Sequence, residues 1–138
     1  MAKIFTAPFA QTPKTATAVA VAAVSGLATD SPTGATLLVT AGADGAIVTR
    51  LSAMPRATAT ASSLVLFLSK DGGATMRLID SELMAAHTVA ATTAIPETAF
   101  GNISDSTPLR LDAGDELFVG SQVALAAGIV FAAQWMDY

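Results

Sequence analysis

Turn-forming residues recur about every 8–12 residues along the chain and leave only short apolar segments between them. The clearest turn is Lys70-Asp71-Gly72-Gly73, and other turns are predicted at 30–34, 41–45, 112–115 and 126–128. Short strands separated at this spacing are typical of antiparallel sandwiches and jelly rolls. The sequence therefore predicts an all-β fold, a single β-sandwich of jelly-roll type with about eight strands.

Between these turns, alternating apolar residues and β-branched side chains predict the individual strands. In chain order the predicted strands are 15–22, 35–40, 46–54, 58–69, 74–79, 108–111, 116–125 and 129–136. Residues 80–86 fit either a short helical turn capped by Ser81 or a bent sheet edge. Residues 87–93 are predicted as an extended piece, and 95–106 as a long loop.

One predicted strand, 58–69, carries apolar side chains on both of its faces. Leu64 and Leu66 alternate with Val65 and Phe67, which is typical of a central strand covered on both sides. The strand pattern also predicts a set of buried side chains across the chain. These are Leu64, Leu66, Phe67, Leu68, Leu78, Leu117, Val119, Val123, Ile129 and Phe131.

Residues 1–14 are predicted to form an irregular N-terminal arm, because Pro8 and Pro13 interrupt both helices and strands. Residues 15–138 then form one β-sandwich domain. The arm carries Phe5 and Phe9, which are the candidate interface anchors of the chain. These rings either insert into a neighbouring subunit or fold back on their own domain, and the sequence favours neither alternative.

The chain is poor in charge for its size. Apolar residues make up 52% and charged residues 13% of the sequence, whereas an ordinary soluble domain has about 25% charged residues. No run of about 20 apolar residues is present, so a membrane span does not account for the deficit. With 30 alanines and 17 threonines, the surface is expected to carry small side chains, which lose little entropy when another subunit immobilises them.

The ionisable residues exclude several classes of function. The net charge is −4 and the seven Lys and Arg residues are scattered singly, which argues against a nucleic-acid partner. The chain has no cysteine, so disulfides and thiolate metal sites are excluded. His87 is the only histidine, and a general base needs an orienting partner that the sequence does not reveal. We therefore expect no cofactor and no enzymatic activity.

The densest acidic group is formed by Asp112, Asp115 and Glu116. Carboxylates in a loop are suited to a calcium ion, but the group lacks the spacing of an EF-hand. Asp and Gly also have purely local roles in turns between strands. The sequence favours a charged turn and leaves the cation site open as the alternative.

Two segments carry a resemblance to a known group of proteins. Residues 64–73 (LVLFLSKDGG) with 77–80 (RLID), and residues 111–119 (LDAGDELFV), resemble small proteins encoded among the head genes of tailed bacteriophages and prophages. The resemblance implies a capsid decoration (cement) protein with no catalytic residues. Such a protein is made in the bacterial host cytoplasm and is located on the capsid surface of the virion.

The resemblance also implies the partners. We expect the chain to bind the major capsid protein and to form a symmetric homo-oligomer, a trimer, because closed symmetry buries a low-charge surface without unlimited growth. One alternative is another virion accessory, such as a tail or head–tail component. The other alternative is a jelly-roll carbohydrate-binding module, which would be expected to expose two or three aromatic rings on one face.

Overall fold

The computed structural model describes residues 12–138, and these residues form nine strands. The strands are β1 (Thr12–Ala20), β2 (Thr36–Thr40), β3 (Ala46–Pro55), β4 (Ser62–Ser69), β5 (Arg77–Met84), β6 (Thr98–Ala99), β7 (Leu109–Leu111), β8 (Glu116–Ser121) and β9 (Ile129–Asp137). Within this part of the chain, no helix is long and apolar enough to cross a membrane. The predicted all-β class is confirmed.

The strands form two antiparallel sheets that pack face to face. The first sheet has the order β1-β9-β3, with both β6 and β7 paired to the far side of β3, and the second sheet has the order β2-β8-β4-β5. The pairings are nested along the chain, because β1 pairs with β9, β2 with β8, β3 with β6 and β7, and β4 with β5. A long hairpin rolled into two sheets gives this pattern, which is the jelly-roll arrangement that the sequence predicted.

The first strand begins earlier than predicted. β1 starts at Thr12, three residues before the predicted start, so residues 12–14 belong to the sandwich and not to an irregular arm. Pro13 is tolerated because β1 is an edge strand among the described strands, so one side of its backbone has no ladder partner there. The rest of the predicted arm, including Phe5 and Phe9, lies outside the described residues.

Other boundaries also differ from the sequence prediction. β5 continues to Met84, so the helical-turn alternative for residues 80–86 is wrong. β4 begins at Ser62 instead of residue 58, and β8 ends at Ser121 instead of residue 125. Of the extended piece predicted at 87–93, only His87 makes a β-bridge, to Ala59. For β4, β8 and residues 87–93, the alternating pattern of the sequence continues past the point where strand pairing stops.

The main core lies between the two sheets. Six of the predicted core residues there are at most 1% exposed: Leu64, Leu66, Leu117, Val119, Ile129 and Phe131. Leu68 is half-buried against the same cluster. Leu78 and Val123 are 42% and 40% exposed, so their predicted burial is wrong. Leu78 lies on the edge strand β5, and Val123 lies in the loop after β8, where no facing sheet covers them.

A second, smaller core covers the outer face of the second sheet. Val65 and Phe67 of β4 are fully buried there against Val24, which confirms that β4 is covered on both sides. The covering segment is loop 21–35, and its Val24 lies directly over Gly120 of β8. A Cβ atom at Gly120 would lie 2.3 Å from Val24 Cγ2, so this close approach requires glycine.

Candidate interaction surfaces

The acidic turn before β8 is closed by a lysine from another loop. Lys70 Nζ lies 2.9 Å from Asp112 Oδ2 and 2.8 Å from Asp115 Oδ2. Asp115 Oδ2 also accepts a hydrogen bond from the backbone N–H of Asp112, at 2.9 Å. Glu116 accepts a hydrogen bond from the Thr40 hydroxyl on the neighbouring strand. The carboxylates of the three residues that suggested a cation site therefore all make contacts within the protein.

The same contacts have an electrostatic consequence. Hydrogen bonds to Asp115 and then to Asp112 raise the pKa of the Lys70 ammonium above its usual value. The ammonium lies between the two carboxylates, where a bound cation would have to lie. Among residues 12–138, no group of three or more His, Asp or Glu side chains is placed to hold a metal ion. This geometry fits the charged-turn interpretation of the sequence.

His87 lies at the opposite end of the sandwich and is held by its backbone. Its N–H donates to the Ala59 carbonyl at 3.0 Å, and its carbonyl accepts from the Ala59 N–H at 2.9 Å. The ring is half-buried, and within the part of the chain that the structure describes, its Nε2 atom has no hydrogen-bond partner.

The end of the sandwich that carries the acidic turn we call the acidic end. It consists of loops 41–45, 70–76 and 112–115 with residues 137–138, and backbone bonds such as Ala41 N–H to Asp115 O (2.8 Å) join these loops. Seven of the eleven carboxylates of the chain lie in these loops or directly beside them. They are Asp30, Asp44, Asp71, Asp112, Asp115, Glu116 and Asp137.

The loops at the other end carry one carboxylate, Glu97, which pairs with Arg50 of β3 where the β5–β6 loop joins the first sheet. The remaining loop residues there have no carboxylate, and we call them the carboxylate-free end. It consists of residues 21–23, 56–61, 85–96 and 122–128, which contain mainly alanine and threonine and a single charged residue, Arg56. Hydrogen bonds join these segments to one another, from Arg56 N–H to Gly128 O (3.1 Å) and from Leu125 N–H to Val21 O (3.1 Å). Val21 is 47% exposed there, so this end presents apolar and small side chains to solvent.

The part of the first sheet's outer face formed by β1 and β9 shares the low charge of the carboxylate-free end. Thr15, Thr17 and Val19 of β1 are exposed on this face, opposite Gln134, Ala132 and Val130 of β9. On the β3 side of the same face lie the exposed ion pair of Arg50 and Glu97 and the exposed Arg110 of β7. The low-charge surface therefore continues from the loops onto one sheet face and ends at the strand β1.

The chain was compared with known proteins at three levels. No protein-family model matches it, and no curated protein and no solved structure matches it significantly. The fold, the two ends and the bare sheet face are therefore the observations from which its function is inferred.

The sequence did not anticipate the separation of charge between the two ends. The signal was present, because residues 56–61, 85–96 and 122–128 contain no Asp or Glu, whereas loops 41–45 and 112–115 contain several. These loops are far apart in sequence, and only the nested strand order assigns the first three to one end and the other two to the opposite end. Phe5 and Phe9, the anchors expected from the sequence, stay a prediction because they lie outside residues 12–138.

Proposed function

We propose that the chain is a non-enzymatic structural protein of a virion. It acts as a capsid decoration (cement) protein that binds the outside of a tailed-phage head as a homo-oligomer and contacts the major capsid protein. The observation that carries the proposal is the separation of charge, with seven carboxylates at or beside one end of the jelly roll and only Glu97, paired with Arg50, in the loops of the other. A protein that lies on a shell needs one surface to bury and one surface to keep hydrated.

The carboxylate-free end supports this assignment on energetic grounds. Burying a charged group against a partner is unfavourable unless that group finds a matched counter-charge. Alanine and threonine avoid this desolvation and lose little side-chain entropy on contact. The carboxylates at the acidic end keep the free chain soluble because they repel one another between copies. Contact through the first end and hydration of the second are therefore both favoured.

The arrangement of the ionisable groups supports the non-enzymatic part of the proposal. His87 and the acidic turn lie at opposite ends of the sandwich, so the single histidine and the densest group of carboxylates do not share a site. Lys70 already pairs with Asp112 and Asp115. Neither group offers the paired acid and base that general acid–base catalysis needs.

Among the alternatives, a carbohydrate-binding module is disfavoured by the placement of the aromatic rings. Phe67, Phe100 and Phe131 are fully buried, and Trp135 is 7% exposed. Within residues 12–138, Tyr138 is the only aromatic residue among the exposed large hydrophobic side chains. One exposed ring at a chain terminus does not form a sugar-stacking platform. A tail or head–tail component would use the same surfaces and stays the second candidate within the structural class.

Cosedimentation with heads of the phage or prophage that encodes the chain tests the proposal. The purified protein is expected to sediment with empty shells at a fixed ratio to the major capsid protein. Ala124→Glu, at the carboxylate-free end, should reduce this binding at least tenfold because it places a carboxylate in the contact (about 1.4 kcal/mol). Ala113→Glu is the matched control, since both alanines are exposed residues in loops next to β8.

The control separates a docking effect from a general effect of added charge. Ala113→Glu adds the same charge at the acidic end and should bind shells as the parent does. Equal loss of binding in both variants would show that the carboxylate-free end is not the contact. A parent protein that does not sediment with heads, but is retained on immobilised polysaccharide, would replace the virion proposal with the carbohydrate-binding module.

A further inference from the structure

One edge strand of the sandwich differs from the other edge strands. An exposed sheet edge carries unpaired backbone N–H and C=O groups, and proteins usually blunt it with short strands, bulges or charges. β2 has five residues and a register shift between Leu37 and Val39. β6 and β7, at the far side of the first sheet, have only two and three residues. These edges are too short or too irregular to accept another strand.

β5, the remaining edge of the second sheet, is blunted by a bulge and by charge. Leu66 pairs with Asp80 while the next residue, Phe67, pairs with Leu78, so Ile79 is an extra residue that bends the edge. Asp80 and Glu82 on this strand accept hydrogen bonds from the loop at residues 101–102. A strand with a bulge, two carboxylates and a covering loop is a poor template for pairing.

β1 lacks these protections. Its nine residues pair with β9 in an unbroken register, from Thr12 opposite Asp137 to Ala20 opposite Ile129. Within residues 12–138, β9 is its only strand partner. Pro13 and Lys14 are the only blunting residues, and the Lys14 ammonium is held 2.7 Å from Asp137 Oδ2. The remaining residues, 15–20, contain no charge, proline, glycine or bulge.

The direction of β1 determines how a second copy can be added. β1 begins at the acidic end, where Lys14 meets Asp137, and ends at the carboxylate-free end, next to Val21. Parallel pairing of two copies would place their acidic ends side by side. Antiparallel pairing places the acidic end of each copy beside the carboxylate-free end of the other, so it avoids repulsion between like charges.

We propose that β1 pairs antiparallel with β1 of a second copy across a twofold axis, so that the two first sheets become one continuous sheet. Pro13 has no N–H to donate and Val21 lies outside β1, which limits the paired segment to residues 14–20 and centres it on Thr17. In this register Thr17 faces Thr17 of the second copy, and Thr15 faces Val19. The inference rests on the proposed function in one respect, that the chain associates with itself. It assigns this self-association a twofold contact, whereas the sequence led us to expect a trimer.

Cysteine cross-linking tests the register directly. The chain has no cysteine, so Thr17→Cys introduces its only thiol. Residues directly opposite in an antiparallel pair have Cα atoms about 4.5–5.5 Å apart, which a disulfide can span. Mild oxidation should convert most of this variant to a disulfide-linked dimer. Thr15→Cys and Val19→Cys should stay monomeric on a non-reducing gel when oxidised separately and should cross-link when mixed.

A second variant tests the contact without a covalent bond. Thr17→Lys should fold as the parent does, because this side chain is exposed, but it places two ammonium groups opposite each other in the dimer. Its mass by analytical ultracentrifugation should fall from twice 13.9 kDa to 13.9 kDa. Ser81→Lys on β5 is the matched control, since it adds the same charge to an exposed residue of another edge strand and should leave the dimer intact.

Three results would overturn the proposal. The first is a parent protein that is monomeric, and the second is cross-linking of Thr15→Cys or Val19→Cys with itself in place of Thr17→Cys. The third is cross-linking of Thr17→Cys only after deletion of residues 2–10, which would show that the N-terminal residues cover the edge in the full chain. A parent protein that is monomeric but still sediments with phage heads would contradict the twofold contact and leave the proposed function standing. A Thr17-centred dimer that ignores heads sinks the proposed function alone.

Discussion

The two sheets of this jelly roll use their outer faces differently. On the second sheet, loop 21–35 lies across Val65 and Phe67 and forms a second core with Val24. On the first sheet, Thr17 and Val19 are exposed, and their neighbours on β9, Ala132 and Val130, are half-buried. A side chain that faces away from the main core therefore contributes to folding on the second sheet, whereas on the first sheet it stays largely in contact with solvent. The comparison makes predictions that can be measured on the isolated protein.

The largest expected effect is at Phe67. Phe67→Ala should reduce the free energy of unfolding by about 3–5 kcal/mol, since it removes a fully buried ring from the second core. Gln134→Ala, on the outer face of the first sheet, should change it by no more than about 0.5 kcal/mol. Urea unfolding of the two variants provides the measurement. Similar losses in both would mean that the first sheet is also covered and that the two faces do not differ.

The next effect concerns the close approach of loop 21–35 to β8. Gly120→Ala should destabilise the protein by about 1–3 kcal/mol, because the new Cβ would lie 2.3 Å from Cγ2 of Val24, whose β-branched side chain has little freedom to move. Adding Val24→Ala should recover part of the loss, so the two changes should be non-additive in a double-mutant cycle. Strictly additive effects of Gly120→Ala and Val24→Ala on the free energy of unfolding would show that Val24 does not contact residue 120.

A pH-dependent effect is expected at the hairpin next to this loop. The backbone N–H of Thr75, followed by its side chain and the Ser69 hydroxyl, donates to Asp71 and lowers the pKa of that carboxyl below its usual value. Because the pKa of Asp71 is lower in the folded state, its hydrogen bonds stabilise the fold at pH values above the unfolded-state pKa. This stabilisation is lost as the pH falls through the folded-state pKa. The melting temperature of the parent should fall below about pH 5, and Asp71→Asn should show a smaller fall over the same range. Parallel curves for the two proteins would remove Asp71 from this role.

The smallest expected effect is at the ion pair that connects the loop to β5. Arg77 Nε lies 3.2 Å from Asp30 Oδ1, but both side chains are exposed, so water and salt screen the pair. Arg77→Met should lower the melting temperature slightly at low salt and not at all at high salt. Arg56→Met, at the carboxylate-free end, serves as the control for removing a surface arginine. A salt-independent loss specific to Arg77 would indicate that its stem packs on the second core.

The sequence predicted those parts of the fold that depend on local chemistry. β3 and β9 were placed to within one residue at each end, because a turn or a proline marks their limits. The hairpin at Lys70 was placed correctly for the same reason. What the sequence did not predict depends on neighbours: Leu78 has the apolar pattern of a core residue and is exposed because β5 is an edge strand. The hydrophobic pattern of a strand shows which residues share a face, but it does not show whether another sheet covers that face.

The candidate surfaces were less accessible to sequence reasoning than the fold. The charge deficit of the chain was evident and pointed to a contact surface, but its location depends on which loops share an end of the sandwich. The edge position of β1 among the described strands was harder to predict. An edge strand is defined by the partner that it lacks, and the first three residues of Thr12–Ala20 were predicted to belong to an arm. Asp112 and Asp115 share the Lys70 ammonium, and the sequence did not indicate this partner because Lys70 lies 42 residues before Asp112.

The nested pairing of the strands also affects how the chain folds during synthesis. β9 lies between β1 and β3 and is the only strand that joins them, so the first sheet has no centre until Ile129–Asp137 is made. Of the nine described strands it is synthesised after the other eight, and it supplies Phe131 and Ile129 to the main core. The first sheet therefore forms only after the other described strands have been made, and its pairing joins residues far apart in sequence, which are contacts that form slowly. Loss of even the final strand would leave β1 without any partner among the described strands, so a chain truncated near residue 128 is expected to be a substrate for proteases and not a smaller version of the protein.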